Sequence, residues 1–514
     1  MYLPNPVGYL KQHKLTAIVI TTALLGVGSQ TAHADFNDLL KAGLLVNYTE
    51  KELSSAMASQ AVYDQLKTAG CDDQQAAATT TCGGGTYSVW RNVREVVHNA
   101  NALSPSNENF TQYSLGRDTV AKLGGALQWC NGEEFASLNS LSGGFVSAQV
   151  NSLAARITAL RMGSTGFSAG NFNSNTDKLL ARNNTQARGG GASADLDDND
   201  NTDEAWSHWG GFLSGNLIRG DKLATSQEDA FSFKGPTINA GLDKRIGNNW
   251  VTGAILGYQK QKLDFSTVAT VEAYSDLRGL SVMPYLLYQS DRWYFNASLG
   301  YQNMHFDTHR RVNYASGPVA TIPVAHDTFD TSTAKAVSWS SYDSVGFSMH
   351  PTAAWVIEPS LSIDYQHIKI NQFTEADLNN QGFNFVIAEQ AVTSLEAIPE
   401  LRTQYTFTPR FGVWVPFIDA QWHHQFKTDA RTVNALYADA QASLNSAASF
   451  AIKTDTLDSW YQIYSAGFSA ILRGSSANAD HNSGSWQIYA NYRRYEGLRN
   501  FTQQIVAAGV RYEF

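Results

Sequence analysis

Charged side chains are few in this chain: Asp, Glu, Lys and Arg make up 16 % of its 514 residues, and 37 basic groups face 46 acids. A net charge of −9 lacks the basic excess on which nucleic-acid binding depends, so nucleic acid is not an expected partner. Cysteine occurs three times, at Cys71, Cys82 and Cys130, with no clustered histidine beside them, and a thiolate metal centre is not expected. His98 is the only histidine between Asp35 and Met162, so that region alone assembles no histidine-based triad or metal site. Metal-protease, phosphate-loop and dinucleotide motifs are missing, and no cofactor is expected. Beyond the amino terminus no apolar run approaches the roughly 20 residues of a spanning helix. A chain without such runs enters a membrane only as strands.

Aromatics, by contrast, make up 12 % of the chain, and glycine occurs 40 times. The mean hydropathy of −0.28 shows no apolar bulk, yet alternating strands hide from such averages. Met1 to Ala34 carries Lys11 and Lys14, then an apolar run from Leu15 to Val27, then Ala32-His33-Ala34. These are the three parts of a secretory signal peptide, with cleavage expected before Asp35. Loss of those two lysines and no acid takes the formal charge from −9 to −11. The remaining length suits two or three domains.

Residues 35–162 read as helical. Val89, Val93, Val96, Ala100 and Leu103 repeat at three and four, and Val146, Val150, Leu153, Ile157 and Leu160 do so over Phe145 to Arg161. Amphipathic helices of this kind require partners, and a small helical bundle or hairpin is expected. In an oxidising compartment Cys71 and Cys82 are expected to close a short disulfide loop, with Cys130 left free or pairing with one of the two instead. Glu133 and Glu134 follow Asn131-Gly132, where a helix first turn favours acids. Gly166-Phe167-Ser168-Ala169-Gly170 has the spacing of a nucleophile elbow, which would make Ser168 an esterase nucleophile. The strand before it and the helix after it that an elbow requires are lacking, and no enzyme is expected.

Residues 163–204 shift to Gly, Asn, Ser, Thr and Asp, and end on the acidic run Asp195 to Glu204. This reads as a flexible, acidic linker. The acidic run lacks the glycine and distal glutamate of a calcium loop. A short helix over Thr176 to Arg188, placed in a pore, is an alternative, and the Asn183-Asn184 pair lies within it.

From Ala205 the period changes to two. Trp293, Phe295, Ala297, Leu299 and Tyr301 alternate with Tyr294, Asn296, Ser298 and Gly300. Trp355 to Ile363, Trp414 to Trp422 and Trp486 to Tyr492 repeat the pattern, with Asp364, Asp419 and Arg493 on the opposite face. A polar, charged inner face suits a membrane barrel, and Trp293, Tyr301, Trp355, Trp414, Trp422 and Trp486 are the expected girdle. Twelve strands are expected over 205–514, near 206–219, 231–245, 250–263, 271–288, 293–306, 338–350, 354–367, 392–406, 411–425, 450–472, 485–494 and 501–514. Their connections mostly alternate short and long, with long links near 307–337, 368–391 and 426–449. In the last strand Phe514, Tyr512, Val510, Ala508 and Val506 share one face.

The carboxyl-terminal 310 residues resemble an autotransporter β-domain, the translocator of type V secretion. The resemblance rests on Trp206 to Gly215, the hairpin from Gly241-Leu242-Asp243 to Asn248-Asn249-Trp250, Gly253 to Tyr258, and Phe373-Thr374-Glu375. It extends to Trp422-His423-His424-Gln425-Phe426, where the family often has W-R-H-E-F, and to the Tyr512 to Phe514 ending. A looser match to the cysteine-containing segment that precedes many such domains runs through Val93-Arg94-Glu95, Ala126 to Trp129, Glu133-Glu134 and Arg156 to Arg161. The resemblance implies an all-β barrel of twelve antiparallel strands in the Gram-negative outer membrane. It implies assembly by the barrel-assembly complex and periplasmic chaperones, with Phe514, Tyr512 and Val510 as the signal, and passage of the helical segment toward the surface. A disulfide loop as small as Cys71–Cys82 would pass a narrow pore. Long repetitive or enzymatic passenger motifs are lacking. A passive channel plugged by the helices is the alternative.

Overall fold

The computed structural model describes residues 36–104, 120–161, 167–169, 209–247, 249–265, 272–290, 292–315, 325–409, 412–472 and 485–513. The signal-peptide reading, the 176–188 helix, Asn183-Asn184 and Phe514 lie outside the described residues.

Alternation from Trp209 onward folds as a closed barrel. Its strands are β1 (Trp209–Lys222), β2 (Phe231–Ile246), β3 (Trp250–Asp264), β4 (Ala273–Gln289), β5 (Trp293–Ser298, resuming as Gly300–Ala315), β6 (Ala325–Phe347) and β7 (Trp355–Ile370). They continue as β8 (Gln390–Tyr405), β9 (Gly412–Gln425), β10 (Trp460–Leu472), β11 (Ser485–Glu496) and β12 (Phe501–Glu513). Each pairs antiparallel with the next, and β12 pairs with β1 from Phe501↔Lys222 to Ala507↔Asn216, which removes the free edge. A row of opposed residues leaving Trp250 for Tyr288 and Phe295 returns through Ser232 to β3 at Asp264, fourteen residues from its start. The strands therefore tilt, as closure requires.

Two rims result. One carries most of the tight turns and the start of β1; the other carries the long connections and the short β11–β12 turn at 497–500. Outward positions are apolar: Leu217, Ile238, Leu256, Leu280, Leu361, Ile418 and Val506 are all exposed. Inward positions are polar, with Asn239, Gln259, Gln302, Ser340, Ser362 and Gln421 buried in the lumen.

Several expected boundaries change. β5 and β6 run on to Ala315 and back from Ala325, so most of the expected link at 307–337 is strand. Its outward positions, Phe329 apart, are mostly polar because this hairpin extends beyond the apolar band, while Phe306, Val312, Tyr314, Ala334 and Ala336 stay buried on its inner face. The expected strand over 450–472 is two pieces. Phe450–Lys453 belongs to a second, four-stranded sheet with Phe373–Thr374, Phe385–Ile387 and Thr432–Tyr437, built from the links expected to be loops. Phe385, Tyr437 and Phe450 make its aromatic centre, with ring centroids 4.9–5.2 Å apart. Phe167–Ala169, inside the expected linker, pairs in parallel with Gly211–Leu213 of β1.

The helices are α1 (Phe36–Lys41), α2 (Glu50–Thr68), α3 (Gly84–Leu103), α4 (Val120–Trp129) and α5 (Leu138–Arg161). α2 starts on a capping box, Thr49 with Glu52. α1 to α4 do not stand apart as a bundle. They share one core with the second sheet, forming a cap on the long-loop rim. α5 leaves them altogether and packs against barrel strands β2 to β7 inside the lumen. The stripe Val146, Val150, Leu153, Ile157 and Leu160 is buried there, against lumen walls and not against another helix. Gly279 of β4 makes the fit possible, since a Cβ at that position would come within 3.2 Å of the Phe145 ring.

Candidate functional site

Polar contacts fix α5 inside the lumen along its length. Near the long-loop rim the Asn139 amide donates to Gln390 Oε1 at 3.0 Å. Midway, the Gln302 amide donates to Gln149 Oε1 at 3.1 Å and the Asn239 amide to Ser152 Oγ at 2.7 Å. On the other side Arg493 Nη1 donates to Asn151 Oδ1 at 2.5 Å. The strongest hold lies near the tight-turn rim. Arg156 Nε donates to Asp243 Oδ2 at 2.7 Å, Tyr285 Oη donates to the same oxygen at 2.9 Å, and the guanidinium lies 4.8 Å from the Phe212 ring centroid. Arg156 is 0 % and Asp243 4 % exposed, so each charge depends on the other. α5 does not fill the lumen: a cavity of about 330 Å³ remains beside it, lined by Glu396, His423, Tyr461 and Arg493 among others.

A second knot joins cap to barrel. Arg310 of β5 donates to Glu375 at 2.7 and 3.1 Å, to Asp330 of β6 at 2.8 Å and to the Phe383 carbonyl at 2.9 Å. Glu375 also accepts from the Phe385 amide at 2.9 Å, which ties the second sheet to the same cation. Glu95 of α3 meets His326 Nε2 of β6 at 2.7 Å. Lys51 of α2 pairs with Asp229 between β1 and β2, and the Asp229 amide donates to Glu133 Oε2 at 3.0 Å.

Glu133 and Glu134 do begin a short 3-10 helix after Gly132, but they are buried and not solvated at a helix end. Burial drives the Glu133 carboxyl well above the usual range, and the Asp229 charge adds to this. Burial likewise pushes Glu134 up to about 7, against the opposing pull of Arg310.

The disulfide joins Cys71 and Cys82 between α2 and α3. Its loop is clamped by the Arg94 guanidinium on the Asp73 and Gln75 carbonyls and by the Trp90 indole N–H on the Asp72 carbonyl at 3.2 Å. Asp73 sits far below the ordinary carboxylate range although burial alone would raise it, because His98, Lys67 and Tyr63 all hydrogen-bond to it. Cys130 is buried and unpaired, and burial pushes its thiol up to about 12.

Of the expected girdle, Trp293, Trp355 and Trp422 point outward and are well exposed, while Tyr301 and Trp414 are outward and half-buried. At the tight-turn rim Trp293 meets Phe347 at 4.8 Å and Trp250 meets Tyr288 at 4.9 Å. The backbones of Tyr512 and Val510 pair with Trp486 and Ile488, but these side chains lie outside the described residues. In the Trp422 to Phe426 motif, His423 turns inward to Glu396 at 2.8 Å and Gln425 donates to Ser394 at 2.7 Å. Ser168 lies in the short strand beside β1, opposite Phe212. Among the described residues no group of three or more His, Cys, Asp or Glu is placed to hold a metal ion. Sequence reasoning did not single out Asp243 or Arg310. The available signal was Arg156, a cation set directly beside the apolar positions Leu153 and Ile157.

The autotransporter beta-domain family matches residues 209–482, more than half of the chain. The chain belongs to this family. Its barrel is thus an outer-membrane β-barrel of the type V secretion class. The solved translocator domain of NalP from Neisseria meningitidis is 14 % identical, covering 60 % of this chain and 89 % of its own length at a TM-score of 0.42. The Bordetella BrkA β-domain is 15 % identical over 59 % of this chain and 98 % of its own, at 0.35. The AIDA-I transport unit from Escherichia coli is 14 % identical over 66 % and 99 %, also at 0.35. No curated protein matches the chain.

Arg156→Ala strands Asp243 in the lumen and should cost about 3–5 kcal/mol, while Arg156→Met with Asp243→Leu should cost clearly less. Thermal unfolding of the folded barrel in detergent, followed by heat-shifted gel mobility, measures both. Glu134 holds its proton in the folded protein up to about 7 but releases it near 4.5 once unfolded, so its contribution is complete below pH 4.5 and lost as pH rises toward 7. The thermal midpoint should therefore fall between pH 5 and 7.5, and Glu134→Gln should flatten that slope.

Proposed function

We propose that this protein is a self-displaying outer-membrane barrel, in which α5 threads the lumen and α1 to α4 form a cap held on the cell's outer face. The direction of α5 supports this reading. Its amino end meets Gln390 at the long-loop rim and its carboxyl end meets Asp243 near the tight turns, on the side where β1 begins. In bacterial barrels the short turns are periplasmic and the long loops extracellular, so the helix runs inward from the surface. At 24 residues it spans about 36 Å, enough to cross the apolar band.

The cap is held in place and not released, because buried ion pairs and a shared core tie it to the barrel loops. The work assigned here is membrane insertion and surface presentation, with no bond chemistry; Ser168 lacks the strand-to-helix setting a nucleophile needs. Assembly proceeds through the barrel-assembly complex and periplasmic chaperones, which engage β12, the strand that closes the barrel. A second reading, a channel partly plugged by α5, is favoured by the cavity beside that helix.

An epitope inserted at Ala77, in the exposed disulfide loop, should be reached by antibody on intact cells expressing the full chain. Staining only after the outer membrane is permeabilised would reverse the orientation. Deleting Phe514 should lower outer-membrane levels several-fold and leave precursor in the periplasm, as judged by fractionation and blotting. Unchanged insertion would remove the assembly role from that strand end.

A further inference from the structure

On β1 to β4 the outward positions change character at one height. Leu217, Ile238, Tyr258 and Leu280 are 46–65 % exposed and mark the upper part of the apolar band. One or two outward positions closer to the long-loop rim stand Arg219, Lys234, Lys260 with Lys262, and Arg278, all exposed. Successive outward positions are about 6–7 Å apart, which places these cations where a bilayer's headgroups begin.

Their register is unfavourable in isolation. Arg219 lies directly opposite Lys234, Lys234 opposite Lys262, and Lys260 opposite Arg278. Like charges directly across a sheet destabilise it. The chain as a whole is acidic, so general composition does not explain five cations on four adjacent strands. Lys262 reaches Asp264 at 3.2 Å and Arg278 reaches Asp307 at 2.7 Å, exposed pairs that are worth little. Among the described residues Arg219, Lys234 and Lys260 make no ion pair. Acids also stand in order: Asp221, Asp264 and Asp276 each lie one outward position farther from the bilayer than a cation on their own strand. On β7 the single outward lysine at this rim, Lys369, reaches Glu389 at 2.9 Å, and on β8 to β10 the outward positions there include Leu395, Trp422 and Trp460.

We propose that this face of β1 to β4 is a binding site for a phosphate-bearing lipid of the leaflet at the long-loop rim. Four strands at about 4.8 Å spacing present the cations over roughly 15 Å, which fits a headgroup carrying more than one phosphate. The lipid's acyl chains lie along Leu217, Ile238, Tyr258 and Leu280 below, and its phosphates relieve the opposed cations. The site rests on the proposed orientation only for naming the outer leaflet.

The test uses the full chain folded in an uncharged, phosphate-free detergent, with native mass spectrometry as readout. The probes are bis-phosphorylated lipid A and the same lipid with both phosphates removed. The phosphorylated form should be retained at least tenfold better, and Arg219→Gln/Lys234→Gln/Lys260→Gln should erase that preference. Lys244→Gln, outward at the tight-turn rim, should leave it intact. If the triple variant gives no heat-shifted folded band, Lys234→Gln alone is measured, since both its cross-strand neighbours are cations; a threefold loss is expected. Equal retention of the two lipids, or undiminished retention by the folded variant, overturns the site. Binding in micelles has no sidedness, so failure here leaves the orientation reading untouched, and reversed epitope staining leaves this site standing.

Discussion

A guanidinium without water has to be answered by an anion, and in this barrel that demand falls on Arg156 and Asp243. One comes from a helix and the other from a strand 87 positions later, and they meet in the lumen near the tight-turn rim. Either alone would be an uncompensated buried charge, whereas together with the Tyr285 hydroxyl and the Phe212 face they form a closed set. The pair therefore fixes where α5 ends. Because a helix is rigid along its length, fixing its carboxyl end beside Asp243 also sets the height at which its amino end emerges, beside Gln390 at the opposite rim. Everything above that rim is built on this placement.

The cap follows from a second such demand. Arg310 projects inward from the β5–β6 hairpin beyond the apolar band, and Glu375 and Asp330 answer it. Glu375 belongs to the β7–β8 connection, so satisfying one cation brings a long loop down onto the hairpin. The second sheet then offers Phe385, Tyr437 and Phe450 as an apolar floor, and α1 to α4 cover it. This explains why the cap is not an independent module: its core draws on residues from both the helical third and the late barrel loops. The cap is thus attached to the barrel by burial, which differs from a segment joined only through a linker.

How much of this could be read from the sequence depended on whether a signal repeats. Alternation recurs along every strand, so the twelve-stranded barrel and its outward Trp293, Trp355 and Trp422 were legible from single segments. Polar hairpin extensions were not. Above the bilayer neither face of residues 307–315 and 325–337 needs to be apolar along its whole length, and a strand without a greasy face reads as loop. The helical stripe from Val146 to Leu160 was legible as a stripe, but periodicity reports that a face is buried and not against what. A bundle core and a lumen wall demand the same spacing. Asp243 could not be singled out because inward acids are common in such barrels, and only the three-dimensional register shows that Arg156 stands opposite it. The disulfide loop was accessible because Cys71 and Cys82 are close in sequence. Its clamp by Arg94, by contrast, needed the turn of α3.

The distribution of the cap's core along the chain constrains the order in which the molecule can mature. Phe36, Trp90 and Leu127 belong to the first 130 residues, while Phe385, Tyr437 and Phe450 lie between β7 and β10, yet all are buried in one cluster. That cluster cannot form until both groups are on the same side of the barrel. If the helical segment crosses through the lumen, it does so without its partners and therefore as separate amphipathic helices, with only the small Cys71–Cys82 loop already closed. On that route the apolar faces would be buried only after arrival, against loops that the barrel had already put in place. Burial of this shared core then opposes the return of the segment, and the Arg156–Asp243 pair holds the connecting helix in the lumen behind it.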